Sequence, residues 1–165
     1  MSEDGELFDR TLLRRRRARF AGEMAEHEAL LAHVAAEIAD RVSAILREFP
    51  LALDLGAYHG VLGRAVAALP SVGAMIYAES ALAFAALCPR PALVCDEDLL
   101  PFKEASLNLI VSGLALHRVN DLPGALIQIR RALVPDGLFM AALLGAHIIK
   151  VKPPKEFLEV AEAKK

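Results

Sequence analysis

Between residues 51 and 144 short apolar runs alternate with helix-like segments, and this alternation constrains the fold more than any other feature. The runs are 51–55, 74–78, 92–95, 107–112 and 138–144. Helical patterns fall between most of them, at 61–69, 81–87 and 122–133. Each run is too short and too uniformly apolar to be one face of an amphipathic element. Runs of that kind are strands buried on both faces, and helices between them make right-handed βαβ crossovers. The expected fold class is therefore α/β, a Rossmann-like doubly wound and mainly parallel sheet of about five strands. The turn Pro135-Asp136-Gly137 introduces the last of them.

Two helical patterns precede the first run. One, at 11–24, is basic, with six arginines between Arg10 and Arg19. The other spans 26–48, where Leu31, Val34, Ile38, Val42, Ile45 and Phe49 recur at steps of three and four, ending at Pro50. Residues 1–9 are expected to fray. The expected organisation is a helical lead-in at 1–49, a Rossmann-like domain at 50–146 and a divergent tail at 147–165.

Composition narrows the class. The 165 residues are 55% apolar and 24% charged, enough for one domain with its own core and too apolar for disorder. A net charge of −2 argues against a dominating nucleic-acid field, and no sequence-specific nucleic-acid partner is expected. No apolar stretch has the length of a bilayer span, and the acidic start MSEDGE lacks a secretory signal core. Cys88 and Cys95 show no metal-ligand spacing and suit a reducing compartment. His27, His33 and His147 have no spacing partners, so no metal site is expected.

Three acids stand at three successive strand ends: Asp54, Glu79 and Asp96, the last followed by Glu97. Between the first strand and its helix lies Leu53-Asp54-Leu55-Gly56-Ala57-Tyr58-His59-Gly60. Glycine there lets backbone approach a ligand, and a helix start offers free N–H groups. The spacing is not the one that cradles phosphate, and no lysine follows. An acid instead accepts from an ammonium or a hydroxyl. In a doubly wound sheet an acid at the position of Glu79 can accept ribose hydroxyls, the alternative being an exposed loop acid, and one at Asp96 can accept from an exocyclic amine, in the crevice where open parallel sheets bind ligands.

This order of motifs, from Pro50 to Leu144, resembles the class I S-adenosylmethionine-dependent methyltransferases. Asp54, Gly56 and Gly60 match the family's first motif, with Tyr58 where its middle glycine stands. Glu79 matches the ribose-binding acid, and Asp96 with Glu97 the adenine-side acids. Residues 109–112 match the fourth strand, with Asn108 replacing the usual acid, and 133–139 match the entry to the fifth. The resemblance implies S-adenosyl-L-methionine as cofactor, held by Asp54, Gly56, Ala57, Tyr58, Gly60, Glu79, Ser80, Asp96, Glu97 and Ser112. His117 is the candidate base, and His59 a candidate contact to the methionine moiety.

Residues 114–124 and the opening Leu7-Phe8-Asp9-Arg10 are similar to a narrower subgroup. It comprises bacterial relatives of a complex I assembly factor that hydroxylates arginine, and the biotin-pathway methyltransferase of malonyl-carrier protein. Arg118 stands where that subgroup has tryptophan. The implied function is methyl transfer to a small-molecule, carrier-protein or protein acceptor. The alternatives are arginine hydroxylation in complex I assembly, or a catalytically weak interaction protein. A protein acceptor or assembly partner is the implied partner, with a cytoplasmic location, or the mitochondrial matrix side of the inner membrane in a eukaryote.

The resemblance lapses near Gly145, so the last two of the family's usual seven strands are expected to be missing. That would leave the fifth strand as an exposed edge, to be covered by residues 147–151 or by self-association through a second copy. The arginine cluster is expected to be a solvated helix face, with docking to a protein partner or binding to RNA or an anionic membrane as rivals.

Overall fold

The computed structural model describes residues 6–24 and 28–143, and the backbone of 149–151. The first helix, α1 (Arg10–Phe20), starts where Asp9 accepts the Leu12 N–H at 2.8 Å, a side-chain N-cap. Then come α2 (Ala29–Ser43), β1 (Phe49–Leu55), α3 (Val61–Ala67), β2 (Val72–Glu79), α4 (Leu82–Ala85) and β3 (Ala92–Val94). The chain continues with β4 (Leu107–Gly113), a 3-10 turn (Leu116–Arg118), α5 (Leu122–Ala132), β5 (Leu133–Ala142) and β6 (Ile149–Val151).

The strands form one sheet in the order β3-β2-β1-β4-β5-β6. The first five are parallel and β6 is antiparallel to β5. Successive side chains enter opposite faces, as a pleated strand requires. On β1, Ala52 joins a cluster with Leu31, Val34, Ile38 and Val42 of α2, Leu62 and Val66 of α3, and Phe84 of α4. Its neighbour Leu53 joins the opposite cluster with Ala125, Ile129 and Ala132 of α5. Both faces of the sheet are therefore covered, as the apolar runs predict.

Several boundaries differ from expectation. Helix α2 ends at Ser43 rather than at 48, and Phe49 belongs to β1 instead of to the α2 stripe. Phe49 donates its N–H to Ser71 O at 2.7 Å and lies opposite Val72, so strand pairing outweighs helical periodicity. Pro50 is tolerated because it stands at the start of the strand, where a missing N–H costs least. Phe8 is not frayed: its N–H donates to Asn120 Oδ1 and its carbonyl accepts from Asn120 Nδ2. Residues 1–5 lie outside the described residues. A sixth strand also joins the expected five, with Phe139 opposite Val151 and Ala141 opposite Ile149. Residues 149–151 thus cover this part of β5, the first of the two coverings expected for that edge.

Candidate active site

The sheet order turns back on itself between β1 and β4. Such a switch point opens a crevice beyond the carboxyl ends of the strands. Gly56 and Ala57, just after β1, donate their N–H groups to Ala78 O at 2.9 and 3.0 Å. Gly56 has φ +73°, and a Cβ there would lie 2.2 Å from the Ala115 Cβ. Only glycine fits this approach of the β1 loop to the segment after β4. Gly60, with φ +84°, begins α3. Tyr58 also takes a positive φ of +50°, and its N–H donates to Glu79 Oε2 at 2.8 Å. Its hydroxyl donates to Leu114 O at 2.9 Å, so the ring fills the space beside the loop that a glycine would leave.

The acids gather as the sequence predicts. Asp54 is fully enclosed under the start of α3 and accepts the Gly63 N–H at 2.8 Å. Burial pushes its carboxyl up to about 7, against the pull of that N–H and with the Glu79 charge adding to the rise. Glu79 is completely buried. Its Oε1 accepts from Ala81 N at 2.9 Å and Ser80 Oγ at 3.4 Å. Burial raises its carboxyl too, in spite of the Arg17 charge and the N–H groups of Ala81 and Tyr58. Burial alone would raise Asp96, but the Arg10 hydrogen bond, the Asp98 N–H and the charges of Arg10 and Arg14 hold it below its ordinary value.

The arginine cluster overturns its expected role as a solvated face. Arg15, Arg16 and Arg19 are exposed, but Arg10, Arg14 and Arg17 enter the crevice. Arg17 is 5% exposed, donates to Glu79 Oε2 at 2.5 Å and lies 3.6 Å from Glu97 Oε1. Its guanidinium sits 4.1 Å above the Tyr58 ring and 5.8 Å from that of Phe84. Arg10 donates to Asp96 Oδ1 at 2.5 Å, to Glu97, and to Arg118 O at 3.0 Å. Arg14 donates to Asp96 Oδ2 at 2.9 Å. Sequence reasoning missed these pairs because they join residues more than sixty positions apart. The spacing 10, 14, 17 on one helix face was the available signal.

Other candidates fall into place around this cluster. Ser112, on β4, is fully buried with no partner for its Oγ among the described residues. Asn108 supports the sheet, accepting the Leu51 N–H at 3.0 Å. His59 is buried and pairs with Glu28 at 2.7 Å. His117 Nε2 accepts from Arg118 Nε at 3.0 Å, so its lone pair is engaged. Burial, Arg118 and Arg17 depress its pKa, favouring a neutral imidazole. His33 is exposed and pairs with Glu37 on its own helix, while His27 and His147 lie outside the described residues. Among the described residues no His, Cys, Asp and Glu cluster could hold a metal ion, and no helix is long and apolar enough to cross a membrane.

Comparison with known proteins matches residues 53–141 to a family described as a methyltransferase domain. The chain belongs to this methyltransferase domain family. Its fold is the Rossmann-like sheet described above. The human mitochondrial arginine-hydroxylase NDUFAF5 is 41% identical over 150 residues, covering 87% of this chain and 43% of that protein. A malonyl-[acyl-carrier protein] O-methyltransferase from a Methylovorus species is 39% identical over 61 residues, 37% of this chain and 21% of that protein. The chain thus spans less than half the length of either relative. A putative S-adenosyl-L-methionine-dependent methyltransferase from Methanococcus maripaludis shares the fold. Its TM-score is 0.67 at 19% identity, over 99% of this chain and 74% of that one.

The residues present fit the cofactor. Among the described residues, Asp54 Oδ1, Glu97 Oε1 and Ser112 Oγ are buried acceptors without hydrogen-bond partners. They surround a glycine cradle, and the cofactor carries the ammonium, hydroxyl and amine donors that such a set accepts.

Proposed function

We propose that this chain binds S-adenosylmethionine in the crevice beyond β1, β2 and β3 and serves methyl transfer. The observation that carries the reading is the convergence of Asp54, Glu79 and Glu97 on one glycine cradle at the sheet's switch point, with Asp96 joined to Glu97 through Arg10. In this reading Glu79, with Ser80 beside it, holds the ribose hydroxyls. Asp96 and Glu97 hold the adenine side. Gly56, Ala57, Tyr58 and Gly60 present backbone to the methionine portion, with Asp54 orienting the loop through Gly63 and Ser112 facing the same end. When bound, S-adenosylmethionine supplies an electrophilic methyl group. The chain's own contribution is then to position the acceptor and exclude water. No base is assigned, because an acceptor that loses no proton late needs none.

The acceptor class we infer is a carrier protein or protein side chain, supported by the names of the relatives. A second reading, arginine hydroxylation of a protein in complex I assembly, is favoured by the greater reach of the match to the human relative. Two unpaired buried thiols, Cys88 and Cys95, support a reducing location, cytoplasmic or on the matrix side.

Calorimetric titration with S-adenosylmethionine tests the site. Wild type is expected to bind, and Asp54→Ala/Glu79→Ala to lose binding while remaining folded by circular dichroism. No binding by wild type up to millimolar ligand overturns the reading. Mass spectrometry of candidate acceptor proteins then separates gain of a methyl group from gain of an oxygen atom.

A further inference from the structure

The crevice acids proposed to receive the cofactor are already engaged by the chain's own arginines. Glu79 and Glu97 are wholly buried and face Arg17, while Asp96 and Glu97 face Arg10. The attachment of α1 is unusual in kind. Its one buried residue is Arg17, so the helix brings no apolar side chain fully into the core. Leu12 and Phe20 remain exposed. An amphipathic helix that belongs permanently to a core buries an apolar stripe; α1 is held by ion pairs, cation–π contacts and the Phe8–Asn120 hydrogen bonds. Ala21, which directly follows it, is buried in the core, giving α1 a tether at its C-terminal end.

We propose that α1 is a plug in cis. Its Arg10 and Arg17 occupy the carboxylates that the ribose and adenine of the cofactor need, so α1 docking and cofactor binding exclude one another. The proposal rests on the cofactor reading above. The acids have two alternative partners, the guanidinium groups of α1 or the hydroxyl and amine donors of the ligand. Tyr58 and Phe84 serve the plugged state by facing the Arg17 cation. Removing the plug enlarges the fraction of chains competent to bind, and the apparent dissociation constant falls in proportion.

The test uses the full chain and S-adenosylhomocysteine, which lacks the sulfonium charge and so separates plug release from repulsion by the arginines. Calorimetry compares wild type, Arg17→Lys, Arg17→Gln and Arg10→Gln/Arg17→Gln, with folding checked by circular dichroism. Affinity is expected to rise about tenfold or more on Arg17→Gln, rise further in the double variant, and stay near wild type in Arg17→Lys. In wild type, hydrogen exchange of residues 10–20 is expected to speed up when the ligand saturates. If Arg17→Gln binds equally or more weakly and α1 keeps its protection in the complex, the plug is overturned while the cofactor site stands. If no folded variant binds, both the plug and the cofactor reading fail. Should Arg17→Gln not fold, the wild-type exchange measurement and Arg14→Gln, which removes one half-exposed ion pair, decide in the same sense.

Discussion

Asp54 ties the chemistry of the crevice to the stability of the sheet. Its carboxyl lies near 7 in the folded chain against an ordinary 3.8, so the folded state holds a proton that the unfolded chain has released. Stability therefore falls as pH rises between those two values and levels off above the higher one. Asp54→Asn removes this proton uptake. Urea unfolding midpoints at about pH 5 and about pH 8 should differ less in the variant than in wild type. Glu79, raised in the same direction, leaves part of the slope in place. An unchanged difference would mean that Asp54 is ionised throughout. Gly56 carries a steric demand instead of an electrostatic one. Gly56→Ala places a Cβ against Ala115 at positive φ, and a loss of about 2 kcal/mol or more is expected in denaturant unfolding. A loss near zero would show that the two loops separate easily.

Among the elements, α1 differs most from its sequence reading. Its helical period and its basic character were legible, and so was the Rossmann-like alternation from β1 to β5. Its destination was not. Arg17 meets Glu79 through packing that joins distant parts of the chain, and arginine-rich helices are by default solvated. The three strand-end acids were legible because parallel topology forces their ends to one side. Phe49 was misplaced because a residue at a helix–strand junction satisfies both periods, and only its pairing with Val72 decides. The Asp9 cap offers a way to weaken α1 without touching the crevice. Asp9→Ala should cost the helix about 1 kcal/mol and raise S-adenosylhomocysteine affinity by up to about fivefold. Calorimetry on this variant checks it, and unchanged affinity would show that α1 docking does not limit binding.

At the scale of the molecule, β6 completes a sheet whose fifth strand would otherwise present Phe139, Met140 and Ala141 as an open edge. Removing residues 149–165 should leave that edge free to pair with another chain. Light scattering is expected to show concentration-dependent association of the shortened chain beyond that of wild type. Equal masses at every concentration would show that β5 is protected by other means. Its parallel core is that of the methyltransferase domain family, and its own basic helix lies across the crevice at the strand ends. A crystal structure of the chain with S-adenosylhomocysteine tests that account most directly. The account predicts the ligand between the Gly56 loop, Glu79 and Asp96, with Arg10 and Arg17 withdrawn from these acids. A ligand bound elsewhere, with Glu79 still paired to Arg17, would contradict it.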